Sequence, residues 1–275
     1  MKFTYSLSIL FIFILCGYSY SNSQNIESDI SCIIDINNQY SDADNDGYTD
    51  YQEIDFGSDP CDSLSVIYVG GWPYNQEKNS LIDVGFKDCY SIPYGNGCEC
   101  TQDSDCMNQS KCEILFTSQN CVPQYGAQLP RFIGIDQFGD SVDIYDFRDK
   151  NKMILVEISA MWSNASNVMA QWLSGNSDPI KSMRWWQDNF DQVKELIDSG
   201  QIYYIRFLHQ GPIKDDIVTA SDVAYWHDQF PHSNIINLTD SDALLKTWVR
   251  PTGYPCLMLF KSDMTLHTPA EGRNG

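Results

Sequence analysis

The sequence predicts an α/β domain, with a central sheet flanked by helices, that follows a small disulfide-rich module. In residues 127–275, apolar strands alternate with helical patterns, which is typical of an α/β sheet. Eight of the ten cysteines lie between Cys32 and Cys121, which indicates a stapled segment in an oxidising compartment. We therefore expect a signal peptide at 1–23, the disulfide-rich module at 24–126 and the α/β domain at 127–275.

The overall charge limits the classes of partner. Lys and Arg number 17 against 37 Asp and Glu, so the formal net charge is −20. A nucleic-acid-binding surface needs basic residues to meet phosphates, and so does docking on anionic lipid. The composition therefore argues against both, while 43% hydrophobic residues argue against a disordered acidic chain.

The first 23 residues have the pattern of a secretory signal peptide. Lys2 precedes an apolar run from Leu7 to Cys16, and small residues end the segment before Gln24. No later stretch is apolar enough to span a membrane, so we expect a secreted protein, extracellular or periplasmic. Lipid attachment through Cys16 is a minor alternative.

Residues 42–53 have the spacing of an EF-hand-type calcium loop. Side-chain oxygens fall at loop positions 1, 3, 5, 9 and 12, Gly47 stands at the sharp turn, and Tyr48 offers a backbone carbonyl at position 7. Hard divalent cations take six to eight such oxygens, and carboxylates this close repel one another without a cation. The predicted ligands of Ca²⁺ are Asp42, Asp44, Asp46, Tyr48, Asp50 and Glu53.

The residues after the loop extend the comparison. The segment Glu53–Pro60 ends in Gly-Ser-Asp-Pro, and residues 41–61 resemble a single thrombospondin type 3 repeat, with Ser58 in place of the usual Thr. Because one loop has no second loop to pair with, a structural calcium clip is expected rather than a sensor. Further on, six cysteines from Cys89 to Cys121 lie in a polar segment without histidine, which favours disulfides over zinc, and their pairing is left open.

The α/β half has a readable order of elements. Its predicted elements are a hairpin at 133–144, strands at 153–158, 201–208, 234–238 and 252–260, a helix entered through residues 159–166, and helices at 180–199, 221–230 and 244–249, with Ser221 as a helix cap. A return strand is expected at 265–269.

Several motifs in this half resemble the redoxin group of the thioredoxin superfamily. They are Pro130-Arg-Phe132, Gly139 with Val142, Phe147 to Lys150, Ala160-x-Trp162 and Tyr254-Pro255. The resemblance covers about residues 127–272. It implies a thioredoxin-like fold, a cis peptide before Pro255 and a groove beside it that holds an extended polypeptide. The family's closing C-terminal helix is absent after residue 269, or the sequence is incomplete.

The family's reactive thiols are missing from this sequence. The Cys-x-x-Cys that follows the tryptophan is here Ser163-Asn-Ala-Ser166. A serine hydroxyl forms no disulfide and no sulfenic acid, so both reactions of the family lose their reacting atom. Ser163 is expected to cap the following helix, since a hydrolytic role needs a paired base that the sequence does not identify.

Three hypotheses for function follow. The first is a secreted calcium-binding protein with a redox-silent thioredoxin-like domain that binds an extended polypeptide near Tyr254 and Pro255. The second is an oxidoreductase acting through another cysteine, with Cys256 as the candidate thiol, although a small buried strand residue is the simpler interpretation of Cys256. The third is a surface protein anchored through Cys16.

Overall fold

The α/β sheet has one central strand with two parallel strands on one side and two antiparallel strands on the other. In the computed structural model, the five strands have the order β7-β6-β5-β8-β9. They are β5 (Ile154–Ala160), β6 (Tyr203–Gln210), β7 (Ile235–Thr239), β8 (Cys256–Phe260) and β9 (Leu266–Glu271). β5 pairs parallel to β6 and antiparallel to β8, and the Tyr254–Pro255 peptide before β8 is cis. The predicted thioredoxin-like α/β class is therefore confirmed.

The structure describes most of the chain after its first 31 residues. The described ranges are 32–38, 40–46, 48–63, 65, 67–86, 89, 95–107, 109–115, 118–175, 179–183, 186–187 and 189–271. The predicted signal peptide at 1–23 and the anchor residue Cys16 lie outside them. Residues 34–275 form one compact unit, and of the other unit, 1–33, only two residues are described.

Strands β5, β6 and β7 bury side chains on both faces of the sheet. Ile154, Val156 and Ile158 of β5 point into the main core, and Phe207 of β6 joins them there. On the opposite face, Tyr204 of β6 packs in a second apolar cluster formed with the helices. These strands read as continuous apolar runs for that reason.

Among its described residues, this half has four α-helices: α2 (Asn164–Leu173), α3 (Phe190–Asp198), α4 (Ala220–Gln229) and α5 (Leu244–Val249). The hairpin β3 (Ile133–Ile135) and β4 (Ser141–Asp143) precedes the sheet, as predicted. Two sequence predictions were wrong in detail. Residues 180–199 are not one helix, because the chain makes a 3₁₀ turn at Pro179–Ser182 and α3 begins only at Phe190.

Aromatic packing explains the interruption before α3. The Trp186 ring lies 5.0 Å from that of Trp172 on α2 and 5.5 Å from that of Phe190, with near-perpendicular planes. These ring contacts favour a position of Trp186 between α2 and α3 over a continuous helix through this residue. The second correction concerns α4, whose cap is Thr219 rather than Ser221, since Thr219 and Asp222 form a reciprocal capping box.

The N-terminal half contains little regular structure. It has α1 (Asp50–Phe56) after the calcium-loop sequence and the hairpin β1 (Ser110–Leu115) and β2 (Ser118–Pro123), which the sequence did not predict. All eight cysteines from Cys32 to Cys121 are disulfide-bonded. Among them the structure gives the pairs Cys89–Cys98, Cys100–Cys112 and Cys106–Cys121.

The segment before the cysteine cluster is anchored on the α/β half by buried polar contacts. Lys78 and Asp146 form an ion pair at 2.9 Å, and the Tyr68 hydroxyl donates to the same carboxylate at 2.6 Å. The Trp72 indole donates to Asp136 at 2.7 Å. The domain boundary at 126/127 stays a prediction, and the two parts on either side of it share these contacts.

The helices of the described ranges are short. None of them has the length and apolar character that a membrane-spanning helix needs.

Candidate functional site

In the acidic loop, Asp44 and Asp46 each use one carboxylate oxygen to accept a nearby backbone N–H. Asp44 Oδ1 accepts the amide N–H of Asp46 at 3.2 Å, and Asp46 Oδ1 accepts the N–H of Tyr48 at 2.8 Å. These local hydrogen bonds are the Asx turns that such side chains favour. They leave the second oxygen of each side chain facing the centre of the loop, and carboxylate oxygens of Asp42, Asp44 and Asp46 lie within 4.8 Å of one another.

Helix α1 brings a fourth carboxylate to the same place. Glu53 is fully buried, and its Oε1 accepts the Ser58 hydroxyl at 3.1 Å. Asp44 Oδ2, Asp46 Oδ2 and Glu53 Oε2 are buried and accept no hydrogen bond within the described part of the chain. Buried carboxylate oxygens are costly without a partner, so this set of donors fits a hard divalent cation of the calcium type.

The electrostatics of the loop agree with that fit. Burial raises the pKa of Glu53 to about 7. The hydrogen bond from Ser58 opposes this shift, whereas the charges of Asp44, Asp46 and Asp42 add to it. Burial and the neighbouring Asp46 also raise the pKa of Asp44. A cation removes this mutual repulsion, because it supplies opposite charge to each carboxylate.

Asp50 has a different environment from the other predicted ligands. Its Oδ1 accepts the N–H of Ala43 at 2.8 Å and its Oδ2 accepts the N–H of Asp35 at 2.9 Å. Burial alone would raise the pKa of Asp50, but hydrogen bonds from the Ser41 side chain and these amides hold it below its ordinary value. The Asp50 side chain thus closes the loop by accepting backbone N–H groups of Ala43 and Asp35. Coordination by Asp50 and by the Tyr48 carbonyl stays a prediction, and Gly47 lies outside the described residues.

The serine pair stands at the start of α2, as the sequence predicted. Ser163 is the N-cap: its Oγ accepts the Ser166 N–H at 3.4 Å and donates to the Tyr254 carbonyl at 3.3 Å. Ser166 is fully buried, with its Oγ 3.2 Å from that of Ser159. The Ser163 hydroxyl gives its proton to a carbonyl rather than to a base, so this arrangement offers no activated nucleophile.

Two aromatic rings and a buried histidine lie close to the cis proline. The ring centroids of Trp162 and Tyr254 lie 6.0 Å apart with perpendicular planes. The Tyr254 hydroxyl is 2.9 Å from His209 Nε2, and His209 Nδ1 is 3.0 Å from the Ser159 carbonyl. Because a carbonyl only accepts, the proton of His209 is on Nδ1, and Tyr254 donates to Nε2.

This pair is held in its neutral form. Burial lowers the pKa of His209, and the hydrogen bond to the Ser159 carbonyl opposes that shift only in part. Burial raises the pKa of Tyr254 to about 12, and the charges of Cys256 and Asp240 act in the same direction. Tyr254 and His209 are therefore joined by a hydrogen bond between two neutral side chains.

Cys256 lies at the first position of β8, directly after the cis proline. Its side chain is fully buried in the main core, and its backbone is paired with Ile158 of β5. It is a thiol and not half of a disulfide. A reactive thiol needs access for its substrate and a stabilised thiolate, and burial among apolar residues opposes both.

Sequence reasoning missed a buried polar chain behind the serines. The Glu157 carboxylate accepts the hydroxyls of Ser159 and Tyr204, and it forms an ion pair with Arg206 at 2.9 Å. Arg206 donates in turn to Asn237 at 3.2 Å. The signal in the sequence is the polar pair at i and i+2 inside the apolar run of β5, which places both side chains on one face.

Several solved structures are similar to this chain at low sequence identity. No family model matches the chain, and no curated protein matches it. A conserved protein of unknown function from Bacteroides fragilis is similar in structure at 7% identity and a TM-score of 0.40, over 54% of this chain and 92% of that chain. The thioredoxin domain of a thiol–disulfide oxidoreductase from Bacteroides vulgatus is similar at 15% identity and a TM-score of 0.36, over 54% and 87% of the two chains. A thiol peroxidase from Chromobacterium violaceum is similar at 14% identity and a TM-score of 0.37, over 58% and 79%.

Proposed function

We propose that this chain is a secreted calcium-binding protein whose thioredoxin-like domain binds an extended polypeptide without thiol chemistry. The observation that carries the proposal is the position of Ser163 at the N-terminus of α2. Its hydroxyl caps this helix and donates a hydrogen bond to the Tyr254 carbonyl. A helix N-terminus activates a cysteine by lowering its pKa. With serine there, the same feature serves only to hold the groove in shape.

The groove supports the binding role. Trp162 is half-buried, and its indole donates to Gln210 at 2.6 Å, which fixes the ring beside Tyr254. A carbonyl oxygen has two lone pairs, so the Tyr254 carbonyl can accept a backbone N–H of a ligand in addition to the Ser163 hydroxyl. Extended polypeptides bind by such main-chain hydrogen bonds, with aromatic side chains supplying contact area.

A permanently unfolded probe tests this role. Reduced and carboxymethylated lactalbumin has no free thiols and no stable fold, so calorimetric titration with it measures binding alone. We expect Trp162→Ala to weaken binding about tenfold, which corresponds to about 1.4 kcal/mol. The matched control is Trp186→Ala, because that indole packs on α2 and α3. Absence of binding by the unsubstituted protein, or equal losses in both variants, would contradict the role.

The redox-silent part of the proposal has a separate assay. Insulin reduction with dithiothreitol as electron source should proceed at the same rate with the unsubstituted protein and with Cys256→Ala. A slower Cys256→Ala variant would instead support the alternative function, an oxidoreductase that acts through this thiol. Equal residual rates in both proteins would locate any activity outside the α/β half.

The calcium part of the proposal rests on the orphaned oxygens of Asp44, Asp46 and Glu53. The role proposed for Ca²⁺ is a structural clip, which joins the loop to the start of α1 through these carboxylates. Calorimetric titration should give one Ca²⁺ per chain. Glu53→Gln should weaken binding at least about tenfold, since it removes a charged ligand. The exposed Asp55 on the same helix supplies the matched control, Asp55→Asn, which should bind as the unsubstituted protein does.

A further inference from the structure

Two disulfides of the N-terminal half lie close together. Sγ atoms of Cys100, Cys106 and Cys121 lie within 4.8 Å of one another. They belong to different bonds, because Cys100 pairs with Cys112 and Cys106 pairs with Cys121. A thiolate formed on Cys100 therefore has a second disulfide directly beside it.

In each of the two disulfides, one cysteine is buried and its partner is half-buried. Cys100 is 8% exposed and Cys121 is fully buried, whereas their partners Cys112 and Cys106 are half-buried. An incoming thiolate reaches the half-buried sulfur first, and the buried sulfur becomes the leaving group. A thiolate is unfavourable in a buried environment. The thiolate expelled from Cys100 therefore has a strong tendency to attack the neighbouring disulfide.

We propose that these four cysteines form a redox-active site that exchanges with a dithiol. A thiolate of the dithiol attacks Cys112 Sγ, forms a mixed disulfide with it and expels the Cys100 thiolate. Cys100 then attacks Cys121 Sγ, which forms a Cys100–Cys121 disulfide and expels the Cys106 thiolate, and this thiolate takes up a proton from water. The second thiol of the dithiol attacks the mixed disulfide and releases Cys112, so the dithiol is oxidised by two electrons and the protein is reduced by two.

The product pairs the two buried cysteines and leaves the two half-buried cysteines as thiols. This arrangement goes beyond the proposed function, because it places redox chemistry in residues 100–121 and leaves Ser163 and Ser166 without any. It also differs from simple reduction of one native disulfide, which leaves one buried and one half-buried thiol.

Limited reduction of the full chain tests the proposal. The protein is treated with one equivalent of dithiothreitol, quenched with acid, alkylated with N-ethylmaleimide at low pH and mapped by peptide mass spectrometry. We expect label on Cys106 and Cys112 together with a Cys100–Cys121 linked peptide. Label on both members of any native disulfide, with the other bonds intact, would overturn the proposal.

Two matched variants separate the relay from general fragility of the bonds. Cys112→Ser leaves Cys100 without its partner, and we expect a Cys100–Cys121 bond with Cys106 labelled. Cys100→Ser removes the same native disulfide but leaves the thiol on Cys112, and we expect the Cys106–Cys121 bond to persist. Rearrangement in both variants, or in neither, would contradict the relay. Insulin reduction that is equal in the unsubstituted protein and Cys256→Ala but lost in Cys100→Ser would support this site while the proposed function stands.

Discussion

The buried ion pair between Lys78 and Asp146 gives the most specific stability prediction. Lys78 Nζ lies 2.9 Å from both oxygens of Asp146, and the two residues are 7% and 0% exposed. Replacing Lys78 with Met keeps the stem and removes the ammonium. The carboxylate then remains buried with two donors, the Tyr68 hydroxyl at 2.6 Å and the Asn75 amide at 2.9 Å.

The size of the effect follows from those contacts. Removing one partner of a buried pair costs about 3–5 kcal/mol, and the two remaining donors put Lys78→Met at the low end, about 3 kcal/mol. For a unit of this size that corresponds to a melting temperature lower by about 6–12 °C. Adding Asp146→Asn should recover part of the loss, because the amide needs no counter-charge. The reference is the exposed Lys111→Met.

Urea denaturation followed by circular dichroism measures the free energy of unfolding of these variants. A loss below about 1 kcal/mol for Lys78→Met would refute the reasoning, because that is the value of a solvent-exposed pair. The same result would show that the segment before the cysteine cluster is not anchored by this contact. A double variant no more stable than Lys78→Met would show that the unpaired charge is not the source of the loss.

Three further predictions concern calcium, pH and the helix cap. Calcium at about a thousand times its dissociation constant should stabilise the fold by about 4 kcal/mol, seen as a higher melting temperature than in chelator. At the same calcium concentration, the weaker binding of Glu53→Gln should reduce this gain to about 2.7 kcal/mol or less. Burial lowers the pKa of His209, so the folded chain keeps this residue neutral at a pH where the unfolded chain takes up a proton. The free energy of unfolding should therefore fall as the pH falls below 6.5, the ordinary pKa of histidine. His209→Gln should show a smaller loss in denaturation between pH 7 and 5, and an unchanged slope would count against this. Ser163→Ala should cost about 1 kcal/mol in urea denaturation through the lost cap, and Ser163→Thr should retain most of the stability, because its hydroxyl can still accept at the cap and donate to Tyr254.

The parallel part of the sheet was predictable because its strands β5, β6 and β7 are buried on both faces. The run Ile154–Ala160 is apolar apart from Glu157 and Ser159, and the order of β5 to β7 with the intervening helices determines the parallel arrangement of these three strands. The motif around Tyr254 and Pro255 placed the cis peptide correctly. The break before α3 was not predictable, because it depends on the packing of Trp186 against a distant helix.

The N-terminal half was harder to predict, since its structure depends on contacts between distant residues. Disulfide pairing is not encoded in spacing, and the Lys78–Asp146 contact joins residues 68 positions apart. In the acidic loop, spacing identified Asp42, Asp44 and Asp46, whose carboxylate oxygens lie within 4.8 Å of one another. The spacing could not show that both carboxylate oxygens of Asp50 accept backbone N–H groups, because this depends on how the preceding segment folds back.

The most direct test of the central claim is the thiol–disulfide activity of the serine site. Insulin reduction should be the same for the unsubstituted protein and for Ser163→Ala/Ser166→Ala, because neither hydroxyl carries chemistry. Ser163→Cys/Ser166→Cys should gain activity, since it places a thiol at the N-terminus of α2, where the pKa of a cysteine is lowered. Loss of activity in the alanine variant would contradict the claim that this thioredoxin-like site is redox-silent.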